Sequence, residues 1–454
     1  MKVVRSVVSL MIVSMLIVPA SFAGEIDDLK SMVSELRQDY ESKIQMLESK
    51  IKQLETTQDQ KVVAKVEELR EEMQTKIKKG AFNVEYVGRD HNSPVGKGGF
   101  MIETPSGNSK VSLGGYMDFE FENFQNTDST FDQYRYIINV GAQIGERLRF
   151  YSEYEIEHGG PGQGGTAEIE QATVDFLIND LVNFRGGALL IPFGRTNLYH
   201  DSDLRDLASR PLVARDIIPT TWTETGAGFF GEFEPIIGEY EDLLVNYEVY
   251  AINGLSDGFS DTGTRGARGS LETDNNNSKA VVGRVVASPF LGHEVGFSGY
   301  WGKYNNLDDN IKGLGIDYLS NWGPLELVGE YARFYIDEPV PAVGRSTDVA
   351  KTIEGYRVQA NYHFWPKFLN GTFLARSFED PTFTLVSRYG WARIDDDADA
   401  NSGTNEEKRY TLGLNYRPVE SWVFKLEYQW NETENEALER GDNDGFLWSI
   451  AMGF

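Results

Sequence analysis

The amino-acid sequence predicts an all-β protein, a transmembrane antiparallel β-barrel of about sixteen strands that follows an N-terminal α-helical coiled coil. From residue 110 to residue 454, roughly sixteen segments alternate apolar and polar residues, as strands with two different faces do. Long polar connections alternate with short ones, as in outer-membrane barrels. After the first two dozen residues, no apolar run is long enough for a transmembrane helix. A spanning protein without such a helix must be a closed barrel, because every backbone polar group needs a partner in lipid.

The composition narrows the classes of function. The chain has 454 residues, no Cys and a formal net charge of −27. Without Cys there is no disulfide framework and no thiolate metal site. A chain this acidic lacks the basic footprint of a nucleic-acid-binding protein, so we expect no nucleic acid among its partners.

Residues 1–23 predict a secretory signal peptide. Lys2 and Arg5 precede an apolar core, and small residues up to Ala23 stand where cleavage would occur. A membrane anchor is the less favoured alternative, because the apolar run is shorter than the roughly 18 residues of a spanning helix.

Residues 25–79 predict a periplasmic coiled coil. Apolar residues recur every third or fourth position from Ile26 to Ile77, and Glu and Lys fill most of the other positions. Such a helix cannot bury its apolar seam alone and therefore implies self-association. The alternative is a single amphipathic helix that lies on the barrel. Residues 80–109, rich in Gly, Pro and Asn, predict a linker with a short hairpin around TPSGNS.

Residues 110–454 predict the outer-membrane β-barrel. In the segment SWVFKLEYQWN, one face carries aromatic and aliphatic residues and the other carries charged and amide residues. Many segments have aromatic residues at the ends of their apolar face, as girdles at two lipid interfaces require. A soluble β-sandwich also alternates, but it would not normally expose so many Trp, Tyr and Phe on one continuous face.

Residues 192–221, PFGRTNLYHDSDLRDLASRPLVARDIIPTT, form a long connection that we call the long loop. A structureless loop of that size inside a compact domain is uncommon and usually functional. Apolar residues between its charges favour a loop that is held against a surface. We therefore expect it to fold into the lumen of the barrel and narrow the pore. The charged residues expected at this constriction are Arg195, Asp201, Asp203, Arg205, Asp206, Arg210, Arg215 and Asp216.

The arginines of the long loop are the candidate solute-selecting residues. Arginines at a constriction can select anions, and the guanidinium fork matches carboxylate or phosphate oxygens. The loop aspartates can pin the loop to inward arginines of the wall and leave some loop arginines free. Parity places further arginines on the lumen wall, where the alternative role is to neutralise inward carboxylates: Arg135, Arg149, Arg284, Arg357 and Arg388.

The sequence does not favour an enzyme. The five His residues are scattered without metal-ligand spacing, and no G-x-S-x-G motif occurs. His200 and Asp201 are adjacent, but neighbours in sequence seldom form a catalytic pair. The aspartates beside His200 lack the Gly turn and closing Glu of a calcium loop. We expect no catalytic residue, no metal and no cofactor.

The chain resembles a known family. A signal peptide, a coiled-coil stretch, GGFMIETPSGNSKVSLGGYMDFEFE at the start of the barrel, ALLIPFG before the long loop, WTETGAGFFG after it and the terminal Phe454 are similar to the phosphate-selective porins O and P. They are most similar to the related DcaP-type trimeric porins with an N-terminal coiled coil. The resemblance implies a sixteen-stranded barrel, a homotrimer and passive uptake of small anions. It also implies that Phe454 is the signal read by the barrel-assembly machinery. Inward Lys are few here and carboxylates are many, which favours a general or carboxylate-preferring channel.

These patterns predict a porin in the outer membrane of a Gram-negative cell. It would be a passive diffusion channel for small hydrophilic solutes, above all anions such as phosphate and carboxylates. Outer-membrane lipids and lipopolysaccharide would surround it. Two alternatives remain open: a barrel that anchors a coiled-coil tether to the cell wall, and a cation-preferring general porin.

Overall fold

The structure is a computed structural model that describes most of the chain. The described residues are 23–54, 70, 82–89, 93, 95–160, 164–235, 243–259, 263–274, 276–337, 350–396, 403–433 and 443–454. The predicted signal peptide lies outside these residues, except for Ala23. The chain divides into two units, Met1–Ala81 and Phe82–Phe454.

The N-terminal unit contains helix α1 (Ala23–Leu54). The helical period predicted for this part of the chain is therefore confirmed, while residues 55–69 and 71–79 of the predicted coiled coil lie outside the described residues. Val33, Leu36 and Ile44 are exposed on the helix. Pairing with a second helix stays a prediction. No helix within the described ranges is long and apolar enough to cross a membrane.

The second unit is built from antiparallel strands. Its described strands are β1 (Asn83–Arg89), β2 (Gly98–Glu103), β3 (Ser109–Phe124), β4 (Thr130–Ile144), β5 (Leu148–Glu157), β6 (Thr166–Leu177), β7 (Asn183–Leu190), β8 (Thr223–Phe233), β9 (Leu244–Ile252), β10 (Ala280–Phe290), β11 (His293–Lys303), β12 (Asn310–Trp322), β13 (Leu325–Ile336), β14 (Thr352–Phe364), β15 (Thr382–Asp396), β16 (Gly403–Val419), β17 (Trp422–Thr433) and β18 (Gly445–Gly453). Short helical turns lie at Arg195–Leu198, Val213–Ile217, Arg265–Ala267 and Lys367–Leu369.

Strands β3 to β18 close into one barrel. Each pairs with the next, and β18 pairs back onto β3, which gives a closed barrel of sixteen strands. The predicted strand number and closure are confirmed. Phe454 extends this seam, because its backbone N–H donates to Gly115 O at 2.9 Å. Its predicted role in barrel assembly stays a prediction.

The predicted linker contains two further strands. β1 and β2 form a hairpin, and β2 pairs with the first residues of β3, from Lys110 to Leu113. The turn around TPSGNS joins β2 to β3, as the sequence predicts. This hairpin belongs to the barrel unit. Strand β2 therefore lies beside the closing seam between β18 and β3.

The two faces of each barrel strand differ in chemistry. In β17, Phe424 and Leu426 are exposed on the outer face, whereas Lys425 and Glu427 are buried inside. Many of the buried charges inside the barrel form ion pairs, such as Arg284 with Asp317, without which their burial would be costly. The alternation therefore separates an apolar exterior from a charged lumen.

The connections at the two ends of the barrel differ in length. Residues 145–147, 291–292, 323–324 and 420–421 are short turns at one end. The connection from β14 to β15, residues 365–381, is a long exception there. It packs on the outer side of the wall, where Tyr416 donates its hydroxyl to Leu374 O. At the opposite end, the long loop and the connection from β9 to β10 fold back toward the lumen.

Candidate functional site in the barrel lumen

The long loop leaves β7 after Leu190 and rejoins the barrel wall at Thr223. Asn197 joins its two ends. The side-chain amide donates to Ile191 O at 2.8 Å and to Trp222 O at 3.1 Å, and its oxygen accepts from Trp222 N at 2.8 Å. Asn197 is fully buried. All of these polar groups are therefore paired where water does not reach them.

The first turn of the long loop requires a glycine. Gly194 has φ 72°, and an added Cβ would lie 2.5 Å from Glu330 Oε1. Glu330, on β13, accepts hydrogen bonds from the backbone N–H and the hydroxyl of Thr196. Positive φ and this close approach both favour Gly. The PFG sequence thus allows the chain to turn from the barrel wall into the lumen at the start of the long loop.

Apolar residues hold the second half of the long loop against the wall. Leu212, Val213, Ile217 and Ile218 are buried in a cluster with residues of β9 to β15. Nearby, the rings of Phe193 and Phe334 stack with centroids 5.0 Å apart. Burial of apolar side chains stabilises this arrangement by roughly 1.5–3 kcal/mol each. The loop is therefore packed inside the barrel.

Polar contacts fix the first half of the loop to the last barrel strands. Arg417 donates to Asp203 O at 2.7 Å, and Glu427 accepts from Ala208 N at 2.9 Å. Asp206 accepts from Asn361 at 2.8 Å and lies 3.5 Å from the Arg417 guanidinium. The loop thus crosses from β7 to the wall formed by β14 to β17.

Two loop aspartates bind cations that belong to the β1–β2 hairpin and not to the strands of the closed barrel. Arg89, at the end of β1, contacts Asp203 at 2.7 Å and Asp201 at 2.8 Å. Lys97 contacts Asp201 at 2.8 Å and Glu153 at 2.9 Å. We call Arg89 and Lys97 the hairpin brace. Burial opposes the charge on Lys97, but Asp201 and Glu153 outweigh burial and raise its pKa.

The hairpin brace was not among the site residues predicted from the sequence. Arg89 and Lys97 are isolated cations within the predicted linker, and no periodicity marks them. Their position among Gly residues, in VGRD and VGKGG, is the local signal that was available. The loop is held by these two cations as well as by wall residues.

His200 lies in the same buried network. Its Nε2 contacts Glu170 on β6, and Nδ1 lies 2.9 Å from Asn197 O. Both ring nitrogens therefore have partners within the fold. In the part of the chain that the structure describes, no group of three or more His, Cys, Asp or Glu residues is arranged to hold a metal ion.

The four loop arginines fall into two classes. Arg195 pairs with Glu294, and Arg215 pairs with both Asp216 and Glu407. Arg205 and Arg210 make no ion pair with any carboxylate of the described residues. Arg205 donates to Ala208 O and Ser202 Oγ, and Arg210 donates to Thr220 O and Thr221 Oγ1. The Nε of each has no hydrogen-bond partner among the described residues.

The five wall arginines make different kinds of contact. Arg135 pairs with Glu155 and Glu157, Arg284 with Asp317, and Arg357 with Glu330. Arg388 donates to Ser209 O at 3.0 Å and Ser209 Oγ at 2.6 Å, so it supports the long loop. Arg149 is half-buried and lines a cavity of about 300 Å³. Three of the five are thus neutralised by carboxylates.

Two cavities lie on different sides of the long loop. Arg205 lines one of about 580 Å³, together with Arg357 and Arg388; we call it the Arg205 cavity. Arg210 lines another of about 910 Å³, together with Arg215; we call it the Arg210 cavity. Each cavity is therefore lined by one loop arginine, Arg205 or Arg210, that makes no ion pair with a carboxylate of the described residues.

A second inward connection was also missed from the sequence. Residues 253–279 join β9 to β10, and residues 256–278 among them count as one of the long polar connections that the sequence pattern places outside the barrel. Their described part instead packs on the long loop, where Thr264 N donates to Asp216 O at 2.9 Å. Arg265 and Arg268 belong to this described part of the connection. The basic run TRGARG, unusual in an acidic chain, is the signal that the sequence contained.

A closed sixteen-stranded barrel whose lumen is crossed by a long inward loop defines the class of porin-type barrels. Residues 110–321 match the model of one family in that class, Phosphate-selective porin O and P. The resemblance predicted from the sequence is thereby confirmed over these residues.

Other proteins are similar to this chain over most of its length. An uncharacterized protein of Aquifex aeolicus (strain VF5) is 27% identical over 375 residues, which cover 76% of this chain and 80% of the relative. OmpF of Salmonella typhi in complex with daunomycin has a TM-score of 0.53 at 14% identity, over 76% of this chain and 98% of that one. The outer membrane channel DcaP of Acinetobacter baumannii has a TM-score of 0.47 at 11% identity, over 78% and 99% of the two chains. The likeness to OmpF supports the fold alone.

Proposed function

We propose that this protein is an outer-membrane channel through which small hydrophilic solutes diffuse passively, with a preference for anions. Arg205 and Arg210 carry the proposal. They have no carboxylate partner among the described residues, and they line the two cavities on different sides of the long loop. A solute that passes the loop would therefore meet an uncompensated guanidinium on each side. In a narrow, poorly hydrated passage such charges favour anions.

The other predicted constriction residues have mainly structural roles in this proposal. Arg195 and Arg215 are neutralised by carboxylates, while Asp201 and Asp203 are neutralised by the hairpin brace. The net charge of −27 does not by itself set the selectivity, because a large part of the acidic excess lies in the connections between the strands, such as residues 432–444, and not at the constriction. Carboxylates and phosphate are the proposed solutes, since both match the guanidinium fork.

The selectivity of the channel is the first test. We expect the wild-type protein in a planar bilayer, under a gradient of dilute potassium chloride, to give the reversal potential of an anion-selective pore. The variant Arg205→Gln/Arg210→Gln should lose most of that selectivity, because both uncompensated charges are removed. Low ionic strength is needed, since salt screens the effect.

The matched control changes the same formal charge outside the lumen. Lys367→Gln/Arg376→Gln alters two exposed residues of the β14–β15 connection and should leave the reversal potential unchanged. A cation-selective wild type, or equal shifts in both double variants, would contradict the proposal and favour the cation-preferring alternative.

We also propose that residues 25–79 self-associate as a periplasmic coiled coil, in support of a homotrimer. The exposed Val33, Leu36 and Ile44 of α1 are apolar side chains that a second helix would cover. Because the chain has no Cys, a single introduced cysteine reports its neighbours directly. Leu36→Cys should form a disulfide between two chains under mild oxidation, whereas Gln38→Cys on the other side of the helix should not. Equal cross-linking of both variants would contradict a defined seam.

A further inference from the structure

The β14–β15 connection is a long segment at the end of the barrel where the other turns are short. It contains residues 365–381, whereas the turns at 291–292, 323–324 and 420–421 have two residues each. In outer-membrane barrels the short turns lie at the periplasmic end. The connection therefore belongs to that end, where a long segment is unusual.

The connection lies against the outer face of the barrel wall. Trp365 stacks on Phe383 of β15 with ring centroids 5.6 Å apart, and the rings of Phe383 and Tyr416 are 5.0 Å apart. Tyr416 is paired with Phe424 of β17, whose side chain is exposed on the outer face. The Tyr416 hydroxyl donates to Leu374 O. The connection therefore folds back along the apolar exterior of the wall.

The backbone of the connection satisfies many of its own hydrogen-bonding groups. Backbone N–H groups donate to carbonyl oxygens three or four residues earlier, from Leu369 to Pro366, Asn370 to Lys367, Thr372 to Leu369, Ala375 and Arg376 to Thr372, and Phe378 to Ala375. The Trp365 indole N–H donates to Asn370 Oδ1 at 2.8 Å. A segment that leaves water must pair these groups internally, because lipid offers no partner. This backbone is therefore compatible with a lipid surface.

The side chains of the connection are those of a membrane interface. Phe368 is 82% exposed and Phe373 is 76% exposed, more than any other aromatic side chain among the described residues. Lys367 and Arg376 flank them in sequence and are also exposed. Aromatic rings are favoured at the level of lipid headgroups, and long cationic side chains extend from there to polar groups. The exposed rings and cations therefore match the two components of a headgroup layer.

We propose that the β14–β15 connection inserts Phe368 and Phe373 into the headgroup region of the periplasmic phospholipid leaflet. Lys367 and Arg376 contact phosphate groups of glycerophospholipids in the same layer. The position of the connection supports a lipid as the occupant, because the segment continues the aromatic surface around Phe383 with which the barrel wall faces the membrane. The site lies on the exterior of the barrel and does not depend on the selectivity of the lumen.

Fluorescence quenching in phospholipid vesicles tests the insertion. The chain has no Cys, so one introduced cysteine can carry a single fluorophore. At Phe373→Cys, lipids brominated near the headgroup end of the acyl chain should quench the fluorophore severalfold more strongly than aqueous iodide. Ser129→Cys, in the exposed β3–β4 connection at the opposite end of the barrel, is the matched control and should show the reverse order. Heat-dependent gel mobility would show that both barrels have folded.

Titration with a short-chain phosphatidylglycerol tests the phosphate contacts. The detergent-solubilised protein labelled at Phe373→Cys should bind this lipid saturably. Lys367→Gln/Arg376→Gln should lower the affinity about tenfold, because cations near a lipid surface attract anionic headgroups. Arg37→Gln/Lys43→Gln removes two exposed cations of α1 instead and should bind like the unchanged labelled protein. Glycerol phosphate, which has no acyl chains, should not compete.

Several results would overturn the inference. Iodide quenching at Phe373→Cys as strong as at Ser129→Cys would place the ring in water. Protection from both quenchers, with disulfide formation between two unlabelled Phe373→Cys chains, would show that a second copy covers the connection. Unchanged lipid affinity in Lys367→Gln/Arg376→Gln, or competition by glycerol phosphate, would overturn the headgroup contacts. A cation-selective channel would contradict the proposed function alone, because neither measurement requires ion flow.

Discussion

Replacing residues 199–219 with a short glycine-serine linker is expected to raise the single-channel conductance severalfold and to abolish selectivity between anions and cations. This change removes the part of the long loop that crosses the lumen, together with Arg205 and Arg210. It keeps Asn197, which joins the two ends of the loop, and leaves the paired strands untouched. A wider, water-filled lumen conducts more ions and exerts a weaker field on each of them. The measurement is single-channel conductance in a planar bilayer.

The β14–β15 connection offers the control for this excision. It is another long connection, but it packs on the outer side of the wall through Tyr416. Shortening residues 367–379 should leave both conductance and selectivity as they are in the wild type. Retained heat-dependent gel mobility would show that each barrel has folded. If the first variant folds and its conductance is unchanged, the long loop does not limit passage.

Arg89→Met is expected to destabilise the long loop strongly. The Arg89 side chain is 1% exposed and is paired with Asp203, whose side chain is 0% exposed. Removing one partner of a buried ion pair leaves an uncompensated charge, which costs about 3–5 kcal/mol. The long loop should therefore detach locally and add large fluctuations to the single-channel current. The thermal unfolding midpoint should also fall.

A compensating change tests the physical reason. Arg89→Met/Asp203→Asn removes both charges. We expect this variant to recover most of the thermal stability and to show few fluctuations in the single-channel current, because Asp201 keeps its contact with Lys97. The control Arg37→Met removes an exposed pair with Glu41 in α1, and such pairs contribute about 0–1 kcal/mol. If the double variant is as unstable as Arg89→Met, the side-chain packing of Arg89 rather than its charge is what matters.

The barrel was predictable because its two faces meet different solvents. Alternation such as that of Phe424, Lys425, Leu426 and Glu427 repeats locally along each strand, so the sequence alone reveals it. The long loop was predictable for a similar reason, since its length, charges and apolar anchors are all properties of one segment. The inward position of that loop follows from these anchors, which are buried in the structure.

The partners of individual charges were not predictable. Arg89 contacts Asp201 across 112 positions of the chain, and Arg215 contacts Glu407 across 192. No local pattern reports such a pairing, because it depends on how the strands are arranged around the barrel. The division of the loop arginines into neutralised and uncompensated members therefore required the three-dimensional structure. The inward position of Arg265 and Arg268 depends on the same long-range packing.

The anchoring of the long loop to β16 and β17 has a consequence for the order of events during folding. The loop lies near the middle of the chain, but Arg417 and Glu427, which hold it, follow it by about 200 positions, as the separations of 214 and 219 show. Contacts between residues so distant in sequence form slowly and late, because the entropy of closing the intervening chain must be lost first. A nascent barrel that lacks its last strands therefore contains the long loop without the contacts that Arg417 and Glu427 make. The bore of the channel takes its final dimension only when the C-terminal strands are in place.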